Sequence, residues 1–127
     1  MEILPERYPV RSREQCKSKG QYSLGRLLRS IYGFHALILE EFPLPGERLY
    51  LDFFMPHNKL AFEYQGVQHD KFVKLFHSDK KGFEESKARD ARKKLWCETN
   101  DFILIEVRGN VSVEELQKLI EEARNEE

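Results

Sequence analysis

The apolar patterning of the chain predicts an α/β fold in which helices flank a mixed β-sheet. Three observations carry this expectation. A helically spaced apolar stretch comes first, then three short apolar runs joined by tight turns, then a long charged helical stretch ahead of a fourth apolar run. Returning to the sheet through a helix is a crossover, so the last strand is expected to pair in parallel. A length of 127 residues suits one domain.

The elements follow in order. Residues 1–20 are polar and basic and read as an irregular N-terminal segment, with the domain proper over 21–127. From Tyr22, the residues Leu24, Leu27, Leu28, Ile31 and Tyr32 keep helical spacing, with Ser23 as cap and Gly33 as stop. Residues 36–42 read as a strand, 43–47 as a turn and 48–55 as a second strand ended by Pro56. Residues 57–59 turn the chain into a third strand, 60–65, ended by Gly66. From 71 to 98 the pattern is helical, with Gly82 dividing a loose basic part from a firmer helix at 83–97. Asn100-Asp101 marks a turn, 102–107 is a β-branched and aromatic strand, and Ser112 caps a last helix at 113–125. Glu114 and Glu115 sit in its first turn, where the helix dipole favours them.

Composition narrows the function classes. With 40% hydrophobic and 12% aromatic residues the chain can build a core, which excludes wholesale disorder. No apolar run approaches the roughly 20 residues that span a bilayer. The opening MEILPERYPVRSREQ lacks the apolar stretch of a secretory signal, so a cytoplasmic protein with no membrane partner is expected. A net charge of −1 argues against a protein that merely coats nucleic acid. Basic residues nevertheless cluster at 7–29 and 80–94, away from an acidic stretch at 114–127. Such clusters suit a polyanion and equally suit solvated helix surfaces. Cys16 and Cys97 match no metal spacing and are expected as free thiols.

The chemistry concentrates in Leu49-Tyr50-Leu51-Asp52-Phe53-Phe54-Met55 and Leu60-Ala61-Phe62-Glu63-Tyr64-Gln65-Gly66. Each apolar strand is interrupted by one carboxylate, which is costly without solvent, a partner or a metal. Alternation puts Asp52 on the face of Tyr50 and Phe54, opposite Leu51 and Phe53, and puts Glu63 with Ala61 and Gln65. Folding the third strand back on the second makes Asp52 and Glu63 near-opposite neighbours. Their repulsion is relieved by a hard cation such as Mg²⁺, or by a Lys or Arg beside an ordinary cross-strand pair. Spacing leaves both open. His69 follows just past the strand end, as a general acid or base or as a surface histidine. Arg89, Arg92 and Lys93 on the long helix suit phosphate contacts or a solvated face.

Taken in order, these pieces resemble the PD-(D/E)XK nuclease superfamily, and within it the branch of very-short-patch-repair and phage homing endonucleases. The resemblance runs from about Tyr22 to Arg108 and includes Arg89-Asp90 and Ile103-Leu104-Ile105-Glu106-Val107-Arg108. It implies a restriction-endonuclease-like three-layer sandwich and metal-dependent hydrolysis of DNA phosphodiesters. Asp52 resembles the metal-binding aspartate and Glu63 the second acid, both holding Mg²⁺ or Mn²⁺. Gln65 stands where the superfamily usually has lysine, and cannot donate a proton as an ammonium would. His69 resembles the branch's histidine and Asp90 the helical aspartate that supports it.

Two features depart from the branch. The turn that would carry a first-helix glutamate reads Ser23-Leu24-Gly25-Arg26, with Glu40 or Glu41 as the replacements to consider. The cysteines of a structural zinc site are absent, so no zinc is expected. The resemblance implies DNA as partner, in a homodimer or with an additional DNA-binding domain. An inactive DNA- or protein-binding module of the same fold and a junction nuclease are the alternatives.

Overall fold

The computed structural model describes residues 3–66 and 77–126. It is an α/β fold with a four-stranded mixed sheet and three α-helices. The order is α1 (Lys19–Tyr32), β1 (Leu39–Pro43), β2 (Tyr50–Met55), β3 (Leu60–Gln65), α2 (His77–Thr99), β4 (Ile103–Arg108) and α3 (Val113–Asn125). The strands lie in sequence order; the first three are antiparallel, and β4 runs parallel to β3 with Leu60 beside Ile103 and Gln65 beside Arg108. The crossover through α2 has the expected parallel consequence.

Two apolar clusters sandwich the sheet. On one face Leu24 and Leu28 of α1 and Leu116 and Ile120 of α3 pack on Phe53, Met55, Leu60 and Phe62. On the other, Trp96 and Cys97 of α2 pack on Leu39, Phe42, Leu51, Phe54 and Ala61. Phe42 stacks on Phe54 at 4.7 Å between centroids, and Phe102 meets Phe54 edge-on at 4.8 Å. Aromatic pairs in these geometries add to the gain from burial alone.

Where boundaries differ from expectation, a local bond accounts for each. α1 starts at Lys19 and is capped by Ser18, not Ser23: Ser18 Oγ accepts the Gln21 N–H at 3.1 Å. Gly33, at φ 87, stops it as expected. β1 begins at Leu39 and not at 36, since the Ala36 carbonyl is occupied by Arg29 Nη1 at 2.8 Å. β2 starts at Tyr50, after a turn at 45–48 that is closed by the Leu44 N–H donating to the Leu49 carbonyl at 2.8 Å. α2 runs through Gly82 unbroken. An interior glycine costs a helix only about 1 kcal/mol. α3 matches the expected 113–125 with Ser112 at its N-cap, and Ser112 and Glu115 also form a reciprocal capping box.

Residues 3–18, read from the sequence as an irregular segment, fold back onto the body. Tyr8 meets Phe42 edge-on at 5.5 Å, the Glu40 N–H donates to the Tyr8 carbonyl at 3.1 Å, and Cys16 is buried.

Urea unfolding is expected to rank two substitutions. Phe62→Ala, at a site with no exposed surface, should cost about 3–5 kcal/mol. Ser18→Ala, which removes one cap bond, should cost about 1 kcal/mol.

Candidate active site

The site lies where the β2–β3 ladder stops. Register pairs Phe53 with Phe62 and Met55 with Leu60, and one further step sets Asp52 across from Glu63. At that step carboxylates take over the role of backbone carbonyls. The Asp52 N–H donates to Glu63 Oε2 at 2.7 Å, and the Tyr64 N–H donates to Asp52 Oδ2 at 2.8 Å. Each acid thereby satisfies a backbone donor of the other strand, which offsets burial to 4% and 6% exposure. The remaining oxygens hold ammonium groups, with Lys17 Nζ 3.0 Å from Asp52 Oδ1 and Lys93 Nζ 2.6 Å from Glu63 Oε1. Lys93 comes from α2 and is largely buried; Lys17 precedes α1 and is more than half exposed.

β1 supplies a further pair of acids through a kink. Glu41 sits at φ 51, between the paired positions Glu40–Phe53 and Phe42–Leu51, and so lies across from Asp52. A left-handed backbone at a residue with a Cβ costs about 1–2 kcal/mol and persists only where its surroundings enforce it. It also breaks strand alternation. Leu39 and Phe42, three residues apart, occupy the same α2-side cluster, as do Leu51 and Phe54. The expectation that Leu51 faces away from Phe54 is therefore corrected.

Gln21 of α1, almost fully buried, locks this kink. Its Nε2 donates to Glu40 Oε2 at 2.8 Å and to Glu41 Oε2 at 2.9 Å. Glu40 also accepts the Arg11 N–H at 2.7 Å and the Cys16 S–H at 3.1 Å. Lys17 Nζ completes the cluster at 3.5 Å from Glu41 Oε2.

Burial dominates the electrostatics. It raises Glu63, helped by the neighbouring Asp52 charge and opposed by Lys93, from an ordinary 4.5 to about 7. Burial likewise raises the Asp52 carboxyl, against the pull of Lys17. For Lys17 burial alone would favour the neutral amine, but the Asp52 and Glu41 charges outweigh it and hold the ammonium more firmly. Burial next to Glu63 and Glu98 pushes the Cys97 thiol up to about 12, and both cysteines are free.

The expected site residues divide as follows. Asp52 and Glu63 are neighbours. Gln65 and Asp90 join Glu63 and Lys93 around one narrow gap closed by Leu104 and Glu106. His69 lies outside the described residues, and with it the expected support from Asp90. Arg89 and Arg92 are exposed on α2, whereas Lys93 turns inward and pairs with Glu63. Lys17 and Gln21 are additions that patterning did not single out, and of the two glutamates considered as replacements Glu41 faces Asp52.

Among the described residues no group of three or more His, Cys, Asp or Glu side chains is arranged to hold a metal ion. Magnesium does not require one, since it takes one or two carboxylates and keeps several waters. Asp52 Oδ1 and Glu41 Oε2 already converge on a single cationic atom, Lys17 Nζ. The nearby buried Gln21 Oε1 has no hydrogen-bond partner among the described residues. These oxygens are the donors that could hold a hard, partly hydrated cation in the place where Lys17 Nζ sits. Both oxygens of Glu63 are engaged by Asp52 N–H and Lys93.

Two viral proteins are similar to this chain. "Uncharacterized protein 307L" of Invertebrate iridescent virus 6 is 42% identical over 59 residues, 46% of this chain and 30% of that protein. "Uncharacterized protein 033L" of Invertebrate iridescent virus 3 is 34% identical over 74 residues, 58% of this chain and 38% of that protein. The matched part thus spans well under half the length of these relatives. No family model and no solved structure matches the chain. No helix among the described residues is long and apolar enough to cross a membrane.

The raised Glu63 carries a sign. Between its unfolded value of 4.5 and its folded value of about 7, the native state binds the extra proton. Stability is therefore expected to fall as pH rises through that window and to level off above it. Glu63→Gln should flatten this dependence, as read from urea midpoints across the window; identical slopes in both proteins would refute the assignment.

Proposed function

We propose that the chain is a metal-dependent DNA endonuclease of the PD-(D/E)XK type, hydrolysing phosphodiester bonds. One observation carries this reading. Two carboxylates, Asp52 and Glu63, are buried side by side at the splayed end of two strands, within a cluster that has more acids than cations. Among the described residues, Glu40, Glu41, Asp52 and Glu63 face two ammonium groups, Lys17 and Lys93, which leaves two negative charges in excess when all are ionised. Such an excess of buried negative charge is relieved by bound protons, as at the raised Glu63, or by a cation, and a cation is the relief this reading takes. The restriction-endonuclease-like form of the sandwich belongs to the same proposal.

The roles follow from the donors. Asp52, with Glu41 across from it, holds the cation, which supplies a polarised phosphate oxygen and an activated water. Glu63 fixes the β2–β3 splay through the Asp52 N–H and positions Lys93. The Lys93 ammonium provides, from α2, the positive charge that Gln65 cannot, and Gln65 beside it orients water or a phosphate oxygen. His69 with Asp90 handles protons. Arg89 and Arg92 on the exposed face of α2 take phosphates of the DNA. The iridescent-virus relatives favour a viral setting, and a homing-type role is one form such an enzyme takes.

A second reading has a specific observation behind it. Lys17 and Lys93 already pair with both acids, as in a fold kept for binding alone.

Cleavage of linear, supercoiled and branched DNA with Mg²⁺ or Mn²⁺ separates the two readings. An endonuclease should lose cutting on Asp52→Ala, and should lose roughly 100-fold on Lys93→Met, as for removal of one transition-state donor. It should also melt at a higher temperature with either metal, by binding to the native state. A binding module would show neither cutting nor metal-dependent stabilisation.

A further inference from the structure

We propose that the groove between the N-terminal segment, α1 and the turn before β1 binds a single strand of nucleic acid. In it, Arg11, Arg13 and Arg26 take the phosphates and Phe34 stacks on a base. This extends the endonuclease reading, on which it rests for its purpose but not for its measurement. The groove has a volume of about 700 Å³, and its walls come from the N-terminal segment, from Tyr22, Arg26 and Arg29 of α1, and from the stretch 34–39 leading into β1.

Charge is the first support. Four arginines line the groove, against one carboxylate, Glu6. Arg29 is committed to structure, since its Nη1 donates to the carbonyls of Gly33, Phe34 and Ala36 and so fixes the turn that carries Phe34. Arg13 and Arg26 are exposed, and no acid among the described residues pairs with either. In a chain whose net charge is −1, three further arginines against one carboxylate is a local departure that suits a polyanion.

Phe34 is the second support and decides the form of the polyanion. It is 90% exposed, and its burial would serve neither apolar cluster. Tyr22 offers a second ring in the wall. Aromatic faces beside guanidinium groups stack unpaired bases, whose faces are free only in a single strand. A duplex hides those faces and offers phosphates alone.

The groove also leads towards the acids. Leu39 in its wall precedes Glu40, Tyr22 follows Gln21, and Arg11 donates its N–H to Glu40. A strand lying there has its backbone led to the cluster around Glu41 and Asp52, as a strand peeled from a duplex next to the cut would be.

The test is fluorescence anisotropy with a short labelled oligothymidine and with a duplex of equal length, in EDTA, alongside circular dichroism to check folding. The single strand is expected to bind more tightly than the duplex. Phe34→Ala should weaken it roughly tenfold, as for loss of one stacked base, without changing the salt dependence. Arg13→Ala with Arg26→Ala should weaken it and lower the slope of log affinity against log salt by about 1.4, two phosphates at about 0.7 each. Equal or tighter duplex binding, or unaltered affinity in a folded Arg13/Arg26 variant, overturns the proposal. Since no metal is present, strand binding without any DNA cleavage in Mg²⁺ would uphold the groove and defeat the endonuclease reading. Cleavage with no loss of strand affinity in the variants would do the reverse.

Discussion

Two side-chain-to-backbone hydrogen bonds hold the β2–β3 junction open, from the Asp52 N–H to Glu63 Oε2 and from the Tyr64 N–H to Asp52 Oδ2. Had the ladder continued, the backbone donors would have found carbonyls and the acids would have needed solvent or cations for every oxygen. Exchanging main-chain acceptors for carboxylates keeps the donors satisfied and brings charge into the sheet without leaving orphans. The arrangement is reciprocal, so neither acid can be removed without freeing a backbone N–H on the opposite strand. That makes the pair structural as well as chemical.

Around this junction the polar groups tie together parts that the apolar clusters leave separate. α1 reaches in through Gln21, β1 through Glu40 and Glu41, the N-terminal segment through Lys17, Cys16 and Arg11, and α2 through Lys93. The two hydrophobic clusters sit on opposite faces of the sheet. The polar cluster is where both faces meet, and its charge balance is sensitive to every element that enters it. The strained Glu41 fits the same logic: its cost is sustained by Gln21 and Lys17, which hold its carboxylate across from Asp52.

Much of this was legible in the sequence, because the sheet is written in period-two apolar runs and short turns. The antiparallel meander, the crossover to a parallel closing strand, β3, α3 with Ser112 at its start, and the facing of Asp52 and Glu63 all followed from local pattern. What escaped depended on single long-range bonds. Lys17 lies in a polar stretch with no periodicity, and only its 3.0 Å contact with Asp52 marks it out. Lys93 resembled its basic neighbours Arg89 and Arg92, and which of them turns inward is set by the docking of α2. Alternation failed at Leu51 because a left-handed residue on the adjacent strand cannot be read from Glu-Glu. Ser18 followed three residues later by Gln21 has the form of a capping box, and that local pattern marks the start of α1.

The α2-side cluster has a spectroscopic side. Trp96 is the chain's one tryptophan, and its ring lies parallel to Phe102 at 5.7 Å and edge-on to Phe54 at 6.2 Å. It stands three residues beyond Lys93, so the turn of α2 that delivers the ammonium to Glu63 also seats the indole. Its emission is thus a built-in gauge of whether α2 is docked on the sheet, readable with no label and no substrate.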